Sequence, residues 1–178
     1  MAIALHTPRL LLRQWCDDDC VPFAAMSADP DVMRHLLPFA DRSASDRWIA
    51  SMRTRCDGHG FAYLAVEIPG QGFIGAVGLN RVAHPDFPFA PAVEIGWRLA
   101  RPYWGNGYAT EAARAVLDDG FGRLQLAEIV AFTVPANGRS RRLMRRLGMR
   151  RDPADDFDHP AVPAGHALRR HVLYRIRR

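Results

Sequence analysis

RPYWGNGYATEA, residues 101–112, is the stretch on which the reading of this chain turns. A run of strand-forming residues, 93–99, ends just before it, and a helix-forming run starts near Tyr108. Gly105 and Gly107 between them either turn a corner or let a ligand approach the backbone. The geometry of strand, glycine loop and helix start favours an anion, because a helix N-terminus offers unpaired N–H groups and the positive end of the helix dipole. Thr110 adds a hydroxyl.

The residue pattern excludes the two commonest phosphate loops. A dinucleotide fingerprint needs a third glycine where Thr110 stands. A nucleoside-triphosphate loop needs a lysine, and all 24 basic residues of this chain are arginine. A pyrophosphate held by other chemistry remains.

Working outward, the 178 residues fit one domain, 1–178, with an ample core. No apolar run approaches the roughly 18 residues of a membrane span. The first fifteen residues lack the pattern of a signal peptide. Three cysteines without CxxC spacing read as reduced thiols of a cytoplasmic protein, and no histidine spacing matches a zinc site, so no metal is expected. The net charge of +5 would attract phosphates or nucleic acid. No nucleic-acid-binding motif accompanies the arginines, so nucleic acid is not the expected partner.

The pattern of elements is mixed. Residues 9–15 read as a strand, 17–28 and 31–36 as helices, and 46–56 as a helix capped by Ser43 or Ser45. Residues 61–68 and 73–82 form a hairpin across Pro69-Gly70-Gln71-Gly72. After the 93–99 strand comes a helix whose Ala109, Ala112, Ala113, Val116, Leu117 and Phe121 share one face. A strand at 128–134, a helix at 137–147 stopped by Gly148, and a strand at 166–177 complete the chain. This is an α/β chain of the α+β type, without the repeated βαβ units of a doubly wound sheet.

Set beside VEIGWRLA before it and FTVPANGRSRRLMRRLGM after it, RPYWGNGYATEA resembles the coenzyme A-binding core of the GNAT N-acetyltransferases. The opening TPRLLLRQW and the N-x-x-S ahead of LGM are similar to the RimJ/RimL-like branch. The likeness spans residues 7–174. Pro102 departs from the Gln or Arg often found three residues before the first glycine, a departure this branch tolerates. The resemblance implies a mixed, mostly antiparallel sheet of about seven strands flanked by helices and splayed at a coenzyme cleft. It implies acetyl-CoA as cosubstrate. The loop Trp104, Gly105, Asn106, Gly107, Tyr108 and Ala109, with Thr110, would hold the pyrophosphate. Trp97, Arg98 and Leu99 would pair with the pantetheine amides as an added strand, and Asn137 would meet the pantetheine arm.

Acetyl transfer to an amine needs a base for the ammonium proton and a donor for the departing thiolate. Alternation puts Glu94 on one strand face with Gly96 and Arg98. Glu94 is either the base or one half of a surface pair with Arg98. By the resemblance Ser140 protonates the thiolate; alternatively it is a first-turn helix serine behind the cap Asn137. Asp155, Asp156 and Asp158 offer a steering loop or plain surface charge. Trp48, Phe87 and Phe89 offer acceptor-pocket walls or core. The acceptor is an amine, a protein N-terminus or a small molecule. The rival functions are an acyl-CoA-binding module with little catalysis and a basic nucleic-acid-binding domain. The final strand, if it is an exposed edge, would let a second copy pair with it as a homodimer.

Overall fold

The computed structural model describes residues 3–178. The chain enters through two short strands, β1 (Ala4–His6) and β2 (Leu11–Arg13). A single 3₁₀ turn at Asp17–Asp19 leads into α1 (Cys20–Ala28), followed by the one-turn α2 (Pro30–Met33) and the long α3 (Arg42–His59). The hairpin β3 (Tyr63–Ile68) and β4 (Gly72–Val82) is followed by β5 (Ala92–Leu99). Then come α4 (Tyr108–Gly122), β6 (Glu128–Thr133) and α5 (Gly138–Arg146). The short strands β7 (Arg150–Arg151) and β8 (Phe157–Asp158) precede β9 (Arg170–Arg177).

The strands form one sheet in the order β1-β2-β3-β4-β5-β6-β9-β7, with β8 also on β9. Every pairing is antiparallel except β5 with β6. Leu12, Val66, Ile74 and Val77 of the first four strands, Ile95 of β5, and Ala112, Ala113 and Val116 of α4 share the main core. A smaller cluster of Val130, Phe157 and Leu173 packs with Phe87, Phe89 and Phe132 beyond the β5–β6 junction.

Several expectations need correction. Nine strands exist among the described residues where about seven were expected, because β1, β7 and β8 are too short to show a period. The first strand is Leu11–Arg13, shorter than 9–15. Helix α3 starts four residues early because Asp41, not Ser43 or Ser45, is the cap, its carboxylate accepting from the Ala44 N–H at 2.6 Å. Ser45 lies inside the helix, donating to the Arg42 carbonyl. Strand β9 is no free edge: β6 covers one side and β7 and β8 the other. β9 therefore does not present the exposed edge on which the expected pairing of a second copy rested.

Candidate functional site

The site begins where two strands part. β5 and β6 run parallel and share a single register pair, Glu94 with Val130. Beyond it the strands separate, and the second half of β5 keeps a partner only on the β4 side, where Arg98 faces Ala76. The Ala100 N–H donates across to the Ile74 carbonyl at 2.9 Å. Backbone groups alternate between the two edges of a strand, so Arg98 turns its amide toward β4 while Trp97 and Leu99 turn theirs toward the gap. Arg98, which the resemblance assigns to pantetheine pairing, thus turns its backbone away from the gap. The Leu99 carbonyl is already taken by the Trp104 indole at 2.7 Å.

The gap opens onto the glycine loop. Gly105 and Gly107 both have φ of +82°, and Gly107 is the residue preceding α4. L side chains rarely adopt this conformation, so glycine at both positions is a backbone requirement. A Cβ on Gly105 would meet nothing within 4 Å, so the loop faces open space. The first turn of α4 presents its N–H groups there, with Thr110 buried behind them. Arginine surrounds the opening. Arg146 reaches the Thr110 hydroxyl at 3.5 Å, and Arg139 lies 4.5 Å over the Trp104 ring. An open depression beside the loop is lined by Thr7, Arg9, Gly107, Thr110, Arg114 and Arg146.

Arg9, placed by the sequence reading at the start of a strand, lies just ahead of β2. It pairs with Glu111 at 2.6 Å, donates to the Asn106 carbonyl at 3.0 Å and lies 4.5 Å over the Tyr108 ring. Thr7 donates to the same Glu111 carboxylate at 2.7 Å. The T-P-R segment thus clamps the glycine loop to α4. Glu111 serves this tie, and Arg9 and Thr7 hold its carboxyl below the usual carboxylate range despite the cost of partial burial.

On one face of β5, Glu94 is deeply set yet keeps partial exposure. Desolvation raises its pKa to about 7, against the opposing hydrogen bonds from Asn80 and Tyr63 and the charge of Arg55. Asn80 donates to Oε1 at 3.0 Å and in turn accepts from Arg55. A Cβ on Gly96 would sit 2.0 Å from the Tyr63 hydroxyl, so only glycine lets that phenol lie across the strand beside Glu94. Glu94 and Arg98 form no ion pair, which removes the surface-pair reading. The Arg98 guanidinium lies within 6 Å of the rings of Phe23, Phe39 and Trp48.

The opposite face carries Trp97. Its indole donates to the Ser140 hydroxyl at 3.0 Å across the gap. Asn137 caps α5 by accepting from the Ser140 N–H at 3.2 Å, and its amide donates to Thr133 of β6 at 3.0 Å. Ser45 and Ser51 in α3 donate to carbonyls three residues back. Ser140 does not: its oxygen accepts from Trp97, and its own proton has no acceptor among the described residues. Asn137 therefore ties the Ser140 backbone to β6 through the two ends of its amide.

Other candidates fall outside this cluster. Asp155 pairs with Arg175, Asp156 with Arg151, and Asp158 with Arg169 and Arg170, so the late acidic loop is neutralised. Phe87 and Phe89 pack on Phe132, Phe157 and His159. Among the described residues no group of three or more His, Cys, Asp or Glu is placed to hold a metal ion. Among the described residues no helix is long and apolar enough to cross a membrane.

Comparison with known proteins agrees with this geometry. The uncharacterized protein YkkB of Bacillus subtilis (strain 168) is 34% identical over 147 residues, covering 82% of this chain and 84% of YkkB. An acetyltransferase from Agrobacterium tumefaciens str. C58 superposes with a TM-score of 0.79 at 26% identity, covering 99% of this chain and 95% of that one. Mycobacterium smegmatis RimJ, solved with CoA-disulfide, shares the fold at a TM-score of 0.76 and 23% identity, over 99% of this chain and 86% of its own. The model of the acetyltransferase (GNAT) domain matches residues 9–150. With its open, mostly antiparallel sheet flanked by helices and splayed between β5 and β6, this chain belongs to the GNAT acetyltransferase family.

Proposed function

We propose that the protein transfers an acetyl group from acetyl-CoA to a primary amine by direct attack. The observation that carries this reading is the single-pair β5–β6 junction, with Glu94 in that pair, followed along the chain by the positive-φ glycine loop. The residues fit the cosubstrate. The backbone of Gly105, Asn106, Gly107, Tyr108 and Ala109, with the Thr110 hydroxyl, would hold the pyrophosphate. Arg146 and Arg139 would add charge at its rim. The free amide groups of Trp97 and Leu99 would receive the pantetheine as an added strand.

When bound, acetyl-CoA supplies an activated acyl carbon. Glu94, with a pKa near 7, is matched to taking the proton from an incoming ammonium at neutral pH. The nitrogen–carbon bond forms as the carbon–sulfur bond breaks, and Ser140 gives its unengaged proton to the departing thiolate. Trp97 holds that hydroxyl and Asn137 the backbone N–H beneath it. The cysteines Cys16, Cys20 and Cys56 are unpaired and lie outside this cluster, which fits direct attack and a reducing cytoplasm.

The test is an acceptor screen with acetyl-CoA, reading thiol release against peptides with free N-termini, polyamines, amino acids and aminoglycosides. At least one amine is expected to give turnover. Tight coenzyme binding with no turnover of any amine would leave only an acyl-CoA-binding module.

A further inference from the structure

Arg98 is a cation without a counter-charge. It stands on the Glu94 face of β5, with Gly96 between them. Its guanidinium lies 5.6 Å from the Phe39 ring centroid, 5.8 Å from that of Phe23 and 5.9 Å from that of Trp48. Phe23 is fully buried; Phe39, Trp48 and Arg98 itself keep partial exposure, so the cage has an open side. Of five possible donors, its side chain uses one, a long 3.4 Å contact to the Ser27 hydroxyl. Asp29 and Asp31 pair with Arg101 and Glu94 accepts from Asn80, and none of them pairs with Arg98.

Desolvation pulls the Arg98 pKa down to about 10, with Tyr63 opposing weakly. A cation taken from water must be repaid by a partner. Cation–π contact with aromatic rings is worth only about 0.5–2 kcal/mol. The guanidinium fork matches a carboxylate bidentately. The same cage also disfavours a second cation, so a polyamine would meet repulsion there.

We propose that Arg98 is the specificity determinant for an acceptor that carries a carboxylate several bonds from its amine. The amine would approach Glu94 while the carboxylate enters the Phe23–Phe39–Trp48 cage and pairs with Arg98. Strand rise sets the two Cα atoms about 13 Å apart, so the two ends of the acceptor cannot be adjacent atoms. This rests on the proposed transferase reading and names its substrate class. Two sources share the chemistry: ω-amino acids, and peptides whose side-chain carboxylate lies near the N-terminus.

The experiment compares matched acceptors with and without the charge. γ-Aminobutyrate and ε-aminocaproate are set against their amides, and N-terminal tripeptides with Asp at the second place against those with Asn. Equilibrium binding to the protein saturated with coenzyme A is read by calorimetry, and kcat/KM by thiol release. Carboxylate acceptors are expected to exceed their neutral partners by about tenfold or more. Which pair shows the gap identifies the source. In Arg98→Gln the carboxylate-to-amide ratio is expected to fall to near one, and Arg98→Lys to restore part of it. A purely structural arginine predicts instead a lower Tm for Arg98→Met without ligand; an unpaired buried cation predicts an unchanged or higher one. Equal binding of charged and neutral acceptors in the wild type overturns the proposal, as does a ratio that survives Arg98→Gln. Should the variants fail to fold, the wild-type ratio still decides. Carboxylate-selective binding without turnover would sink the transferase reading alone. Turnover without selectivity would sink only this inference.

Discussion

Glu94 shows how much a single residue owes to its surroundings. A carboxylate on a strand is ordinarily ionised well below neutral pH. Here burial raises it to about 7, and the Arg55–Asn80 relay and the Tyr63 phenol stop it rising further. The deprotonated form is the proposed base, so kcat/KM is expected to climb as pH rises through about 7 and level off above it. Glu94→Gln should lower kcat by roughly 10²–10⁴-fold while acetyl-CoA affinity holds, measured by steady-state kinetics beside calorimetry. Ser140→Ala should lower kcat with KM for acetyl-CoA little changed, because the alanine removes a proton donor and leaves the cap intact. An effect of equal size on coenzyme affinity would move Ser140 from proton donor to binding group.

At the scale of elements, the glycine loop is held from both ends. Gly107 has positive φ, and a Cβ there would already stand 3.4 Å from the Arg9 guanidinium. Gly107→Val should therefore weaken coenzyme binding and also cost about 1–3 kcal/mol of stability from backbone strain alone. Gly105→Ala meets no neighbour, so its cost is confined to φ. The two variants separate strain from blockage when urea midpoints are read with acetyl-CoA affinity. Asn137→Ala removes the α5 cap and should cost about 0.5–2 kcal/mol by chemical denaturation. It should also lower kcat, since it releases the Ser140 backbone. The loop, the strand before it and the helix after it were legible in the sequence because glycine spacing and helical period are local signals. The Thr7–Arg9 clamp was not: its partner Glu111 lies about a hundred residues on, and nothing in T-P-R-L announces that contact.

Across the whole molecule, the β5–β6 splay divides the core in two. The smaller part, beneath Phe87, Phe89 and Phe157, also packs His159 against His171 at 5.0 Å. Burial lowers the His159 pKa from 6.5 to about 4, with His171 adding a smaller push in the same direction. The unfolded chain therefore binds more protons between those values, and stability must fall as pH drops from about 6.5 toward 4. His159→Leu should flatten that acid limb, read as Tm at pH 7 against pH 5. An unchanged slope would place the acid sensitivity in other groups. The same tertiary arrangement neutralises Asp155, Asp156 and Asp158, which the sequence alone offered as a steering loop.

What the sequence determined by itself is the order of elements, the anion-ready glycine turn and the serine behind an asparagine cap, because each is written in neighbouring residues. Only the tertiary structure decided which amides of β5 face the gap, since edge alternation depends on the register with β4. It also decided that Glu94 and Arg98 stay apart. Glu94 acquires a phenol and an amide, while Arg98 is left among three rings with no acid to answer it. The partners of Glu94 come from β3 and β4 and the rings around Arg98 from α1, α3 and the segment before it, elements distant in sequence that set the surroundings of charges the sequence could only name.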